Sequence, residues 1–393
     1  MSGRPVAATA EPSTADHADR LRRWLIEQAG PLSIFRKRPP AGLAEALEHE
    51  GHLVHELYCS GWSRWGWPED AGGLGGPILL RAVLYDELAA AGLEIPEAFV
   101  LLETLGPLLV KYAPALAARH LPAFLSGREV WAQGFSEPQA GSDLAQLRTR
   151  ARVTPDGFAV SGQKVWTTLG QFARFAAVLA RTGTSQSAHR GLTMLWVDLA
   201  SPGVTVRPIA AANGRAEFAE MFFDDVTVPR SGLIGSVDGG WTAAMYLLQF
   251  ERGMYAWLRQ AVLLRRLREA VSTADPEGAA AGPAIRHALG HALHATAMLR
   301  ARSRTTVRRL SAGENPGPEI STDKALLGMA EQATFDVLRL LNWPAMALDA
   351  DGDSAVLRQE WWYSRASTIF GGAIDVQRDI VAGRVLGLPR SQS

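Results

Sequence analysis

The feature that most constrains this chain is a change of hydrophobic period along it. Between Trp131 and Pro229 the sequence runs in short β-forming stretches: AAVLART (Ala176–Thr182), LTMLWVDL (Leu192–Leu199), VTVRPIA (Val204–Ala210) and AEMFFDDVTVP (Ala219–Pro229). Turns rich in Gly, Ser, Pro and Asn separate them. No strand–helix alternation appears, which argues against a Rossmann fold. Strands at this spacing predict a small β-barrel or sandwich of roughly 100 residues. On both sides, from about Asp19 to Val130 and again beyond Gly240, the chain reads as helical.

ILLRAVLYDELAAAG, Ile78 to Gly92, is apolar at helical spacing and stops at a glycine. Further helices are expected over Trp241–Val271 and Pro283–Leu310, then from Ser321, a candidate N-cap, and toward the end. Ser272–Gly282 and Ser311–Glu319 read as linkers. The expected fold is mainly α with a central β-domain. Residues 1–20 form a disordered N-terminus, 21–130 an N-terminal helical domain, 131–230 a middle β-barrel and 231–393 a C-terminal four-helix bundle.

Composition removes several functions. Lys plus Arg equals Asp plus Glu at 40 each, so no global basic field invites nucleic acid. The single cysteine, Cys59, excludes an intramolecular disulfide and is expected to be partly buried and inert. No apolar run reaches the roughly 18 residues that span a bilayer. The first stretch lacks the apolar core of a secretory signal, so a cytoplasmic protein is expected. In SGWSRWGWPEDAGGLGG, no strand precedes the glycines, so AGGLGG is not a dinucleotide fingerprint. Trp62, Trp65 and Trp67 are expected to pin that loop to the core.

Two stretches carry the chemistry. WAQGFSEPQAGSD (Trp131–Asp143) puts Ser136, Gly141 and Ser142 in a turn-rich segment, where backbone and hydroxyls can approach a ligand. GQKVWTT (Gly162–Thr168) ends a strand with a hydroxyl, Thr168, beside the indole of Trp166. A hydroxyl next to a flat apolar ring suits a flavin.

These two segments, with GWPEDAGG (Gly66–Gly73), VTVP (Val226–Pro229), the pair Glu251–Arg252 and VAGRVLGLPR (Val381–Arg390), resemble the acyl-CoA dehydrogenases in order and spacing. The resemblance covers about Trp62 to Arg390. It implies FAD lying between the β-domain and helices of a neighbouring subunit, and dehydrogenation of an acyl thioester carried on CoA or a carrier protein. Electron-transfer flavoprotein or another acceptor would take the electrons, and a homo- or heterotetramer is implied. FAD would be contacted by Gln133, Phe135, Ser136, Gly141, Ser142, Trp166, Thr167 and Thr168, and the substrate by Ser142 and Arg252.

In most of the family the base is a Glu before a Gly near the C-terminus; in IFGGAIDVQRDIVA (Ile369–Ala382) that position is Gly371. Other members carry the base at the helical ER pair, here Glu251. Its helix neighbours Leu247, Leu248, Met254 and Tyr255 form an apolar face, where a carboxylate makes a stronger base. Gly371 keeps a backbone N–H, which the resemblance assigns to polarising the thioester carbonyl.

The sequence also departs from the family pattern. Ala373 and Asp375 stand at flavin-contacting positions, the R-x-x-F-G segment is missing, with Arg286 as substitute, and LLNWPAM (Leu340–Met346) replaces a Q-x-x-G-G stretch. Two other readings therefore stand beside the dehydrogenase: a partner subunit completing another chain's flavin site, and a flavin monooxygenase on the same fold. His287, His291 and His294 share one helix face at metal-ligand spacing, but no carboxylate or Cys joins them, so no metal is expected.

Overall fold

In a computed structural model, residues 13–36, 40, 42–273, 282–348 and 352–389 are described. The first part is helical: α1 (Thr14–Glu27), α2 (Leu43–Cys59), α3 (Leu79–Ala90), α4 (Ala98–Tyr112) and α5 (Pro114–Leu125). Helix α1 corrects the expectation of disorder for residues 13–20. The Ser13 side chain caps it by accepting from Asp16 N, and His17, Leu21 and Leu25 bury one narrow face. His17 sits edge-on to Trp62 and Trp65, and burial pulls its imidazole down to about 4. A mostly polar surface hid this face from the sequence pattern.

Cys59 is exposed rather than partly buried, with Sγ 3.4 Å from His55 Nε2. Helix α2 buries Leu53, Val54 and Leu57, and two residues beyond Leu57 the helix has turned its side chain outward. The three loop tryptophans do enter the core. Trp67 lies 3.8 Å beneath the Arg81 guanidinium, which pairs with buried Glu103 at 3.0 Å.

The middle part is an eight-stranded sheet: β1 (Trp131–Gly134), β2 (Arg150–Thr154), β3 (Gly157–Thr168), β4 (Phe175–Arg181), β5 (Leu192–Asp198), β6 (Val204–Ile209), β7 (Phe218–Pro229) and β8 (Leu233–Ile234). Its order is β6-β7-β3-β2-β4-β5-β8, with β1 pairing β4 in parallel. Phe158, Val160, Met221 and Phe223 from one half share a core with Val178, Ala180, Leu195 and Val197 from the other, so the sheet wraps around its own interior.

Then come α6 (Gly240–Thr273), α7 (Pro283–Ser311), α8 (Ser321–Leu341), the short α9 (Ala345–Leu348), α10 (Gly352–Arg365) and α11 (Ile374–Ile380). Helix α6 packs against α4, α7 and α8 and so joins the helical layers. At Gly253 a Cβ would stand 2.8 Å from Thr306 Cγ2, so the glycine is what lets α6 and α7 touch. Ser321 is not a cap. A 3-10 turn (Gly317–Ile320) runs straight into α8, and the Ser321 hydroxyl is buried without a partner. Among the described residues, no helix is long and apolar enough to cross a membrane.

Candidate active site

An ion pair between β3 and the loop after β1 ties the chemistry-bearing segments of the β-domain together. Lys164 Nζ donates to Glu137 Oε1 at 2.8 Å and to the Phe135 carbonyl at 2.9 Å. Glu137 also accepts from the backbone N–H of Arg148 (2.6 Å) and Thr149 (2.8 Å). Burial works to push the Glu137 carboxyl up, but Lys164 and these donors hold it below its ordinary value. Val165 N donates to the Ser136 carbonyl at 2.9 Å, so SEPQAGSD is clamped along β3.

Just beyond the clamp, the β3–β7 register shifts between Lys164 and Thr167. Trp166 takes φ 60° in this irregularity and turns its indole outward, 59 % exposed. Thr167 points inward, with a buried hydroxyl that has no hydrogen-bond partner. Thr168 is half-buried. From Trp166 a row of rings leads into the helices: Phe218 at 6.1 Å, Tyr363 a further 6.2 Å on, and Phe370 at 5.6 Å from Tyr363.

Phe370 precedes the double glycine, and there the ER pair of α6 arrives. A Cβ on Gly371 would stand 3.0 Å from Glu251 Oε1, and one on Gly372 3.2 Å from Arg252 Nη2. Both glycines have positive φ, 64° and 101°. Gln133 Nε2 reaches across from β1 to donate to Glu251 Oε2 at 3.2 Å. The two positions to which the resemblance assigns a base therefore lie side by side. Glu251 fills the volume that a side chain at 371 would enter.

The Gly371 N–H makes no hydrogen bond among the described residues. Arg252 is half-buried with Nε lacking a partner, and burial lowers its affinity for the proton while neighbouring Glu251 opposes that shift. Gln377 of α11 is fully buried beside Gly372, and neither of its amide atoms has a partner.

Other expected residues do not join this corner. Phe135 is buried and contributes its carbonyl to Lys164. Gly141 and Ser142 lie exposed after the Glu137–Ala140 turn. Arg286 is exposed in the first turn of α7, whereas it is Thr306 of that helix that meets Gly253 of α6. Twenty residues of helix separate the two levels, about 30 Å, so Arg286 does not share the Glu251 corner within one chain. Asp375 is exposed and pairs with Arg378 at 3.3 Å. His287, His291 and His294 are exposed, and no group of metal-holding side chains gathers among the described residues.

Sequence reasoning missed Glu137, Lys164 and Lys324. The first two sit inside the quoted motifs: a lysine among the apolar residues of a strand and an acid in the turn-rich segment it faces were the available signal. Lys324, on α8, is buried with its Cε 3.2 Å from the same Gly371 Cβ position.

A planar cofactor with a polar edge fits the β side. An outward indole, a buried unpartnered Thr167 hydroxyl and a half-buried Ser136 offer one apolar face and unspent polar atoms.

Comparison with known proteins gives the class of molecule this arrangement belongs to. Residues 132–226 match the acyl-CoA dehydrogenase middle domain and residues 238–386 the acyl-CoA dehydrogenase C-terminal domain. The chain is 36 % identical over 375 residues to acyl-CoA dehydrogenase IpdE1 of Mycobacterium tuberculosis, covering 94 % of this chain and 97 % of that one. The chain belongs to the acyl-CoA dehydrogenase family, a family of FAD-dependent oxidoreductases.

Among solved structures, the Tcur3481-Tcur3483 steroid ACAD superimposes with a TM-score of 0.80 at 28 % identity, covering 98 % of this chain and all of that one. PigA with FAD and proline shares the fold at a TM-score of 0.76 and 18 % identity, over 98 % of this chain and 100 % of that one.

Proposed function

We propose that this chain catalyses α,β-dehydrogenation of an acyl thioester, with Glu251 as the base for the α-proton. The observation that carries this reading is the Glu251 carboxylate seated in the side-chain volume of Gly371. Gln133 engages Oε2, which leaves Oε1 toward the double glycine as the proton-accepting atom. The free Gly371 N–H is a donor for the thioester oxygen, where negative charge grows as the α-proton leaves. Arg252, beside Gly372, steadies the ligand on the other side. FAD, when bound, accepts the β-hydride; Gln133, Phe135, Ser136, Gly141, Ser142, Trp166, Thr167 and Thr168 are the residues assigned to hold it. CoA or a carrier protein would present the acyl group, and electron-transfer flavoprotein or another acceptor would reoxidise the flavin.

The test is anaerobic addition of a panel of acyl-CoAs to purified, FAD-loaded protein. Wild type is expected to bleach with at least one thioester. Glu251→Gln is expected to keep its flavin and bleach about 10²–10⁴-fold more slowly. Full-speed bleaching in that variant would remove Glu251 from the role.

A flavin site shared between subunits is favoured by one observation. Arg286 lies about 30 Å along α7 from the Glu251 level, so any flavin it contacts belongs to another chain, and the Tcur3481-Tcur3483 enzyme carries two chain names. A tetramer in which this chain supplies Glu251 and a related chain completes the flavin site fits both. Expressed alone, such a chain would purify colourless and gain flavin only with its partner.

A further inference from the structure

We propose that Lys324 is a positioning residue for this reaction, its ammonium fixing the Ser367–Gly372 turn and placing positive charge beside the Glu251 carboxylate. The proposal rests on the dehydrogenase reading above and extends it to a helix that contributes no residue to the ER or glycine pairs.

A fully structural lysine in an interior is normally paired, because an ammonium without a counter-charge is expensive to bury. Lys324 is 2 % exposed and forms no salt bridge among the described residues. Its Nζ donates to the Ser367 carbonyl and lies 4.8 Å from the centre of the Phe370 ring. At Gly328, one turn along the same face of α8, a Cβ would stand 3.3 Å from that Ser367 carbonyl oxygen, so helix and turn are in close contact. The turn that carries the Gly371 N–H is thus held at Ser367 and Phe370 by one side chain.

The charges facing Lys324 are Glu251 and Arg252 from α6 and Glu331 from α8. Glu331 is engaged by Arg259 at 2.6 Å. Glu251 is the facing carboxylate that makes no salt bridge among the described residues. Glu251 Oε1 and Lys324 Cε both lie about 3 Å from the Cβ position of residue 371, which puts them within about 6 Å of each other. As the proton leaves the acyl α-carbon, negative charge passes from the carboxylate to the thioester oxygen at the Gly371 N–H. Lys324 stands beside both ends of that transfer.

Burial brings Lys324 down to about 8, with Glu331 and then Glu251 working in the opposite direction. The ammonium is therefore present at neutral pH and lost as pH rises past that value.

The experiment measures anaerobic flavin bleaching against pH, from 6 to 10, using the acyl-CoA that bleaches wild type fastest. Wild type is expected to slow above about pH 8. Lys324→Met is expected to bleach about tenfold or more slowly at pH 7 with flavin content unchanged, and to lack that alkaline limb. Lys324→Arg, which stays charged, is expected to recover most of the neutral rate and hold it to pH 10. A Met variant as fast as wild type overturns the proposal. Should the Met variant lose its flavin, the Arg variant decides, and an Arg profile that falls with wild type near pH 8 also overturns it. Wild type that no thioester bleaches overturns the dehydrogenase reading itself, and this proposal with it.

Discussion

Lys164 and Lys324 each bring an ammonium group into the interior, 0 % and 2 % exposed, yet only the first meets a carboxylate in a salt bridge. Around Lys164 every charge is answered: Glu137 accepts from the ammonium and from two backbone N–H groups. That arrangement locks the two sequence motifs of the β-domain to one another. Around Lys324 the hydrogen-bond partner is a neutral carbonyl, and the facing carboxylate outside any salt bridge is the one proposed to act in the chemistry. A saturated site fixes shape. An unsaturated one holds charge ready for something that arrives later.

Stability measurements sharpen this contrast. Lys164→Met leaves Glu137 buried without its cation and is expected to cost about 3–5 kcal/mol, read from urea unfolding. A cost under about 1 kcal/mol would mean the pair is dispensable. Next in size is an acid effect. Glu137 is held below its ordinary value of 4.5 in the folded chain, so its contribution is complete above that pH and fades as pH falls through the folded value. Below pH 4.5, wild type should lose stability more steeply than Lys164→Met. Smallest is Lys324→Met. It leaves Glu331 in its pair with Arg259 and gives up one bond to the Ser367 carbonyl, so its unfolding free energy is expected within about 1 kcal/mol of wild type, although its chemistry slows.

The coarse architecture was legible because hydrophobic period survives in single sequences. Strands at Ala176, Leu192, Val204 and Ala219, and helices from Trp241, Pro283 and Ser321, lie within a residue or two of the expected places. The first turns of polar-faced α1, before Asp19, were not legible, because its buried stripe of His17, Leu21 and Leu25 is too sparse to stand out. At the site, Glu251 and Gly371 were each identifiable from a motif, as an ER pair and as a glycine where a carboxylate is usual. That they share one volume depends on how α6 meets the turn after α10, a packing fact with no local pattern. Lys324 carried no signal at all, since a lysine in a helix is ordinary until its burial is seen.

The shared volume at Gly371 has a consequence for how such a site could change over generations. A carboxylate at 371 would have its Cβ 3.0 Å from Glu251 Oε1, on a backbone at φ 64° that favours glycine. On the reading proposed above, the two homes for the base compete for space, so a side chain at 371 would have to push the Glu251 carboxylate aside. Relocation has to pass through an idle chain or a displaced Glu251, and a related subunit that keeps working would shelter either intermediate from selection.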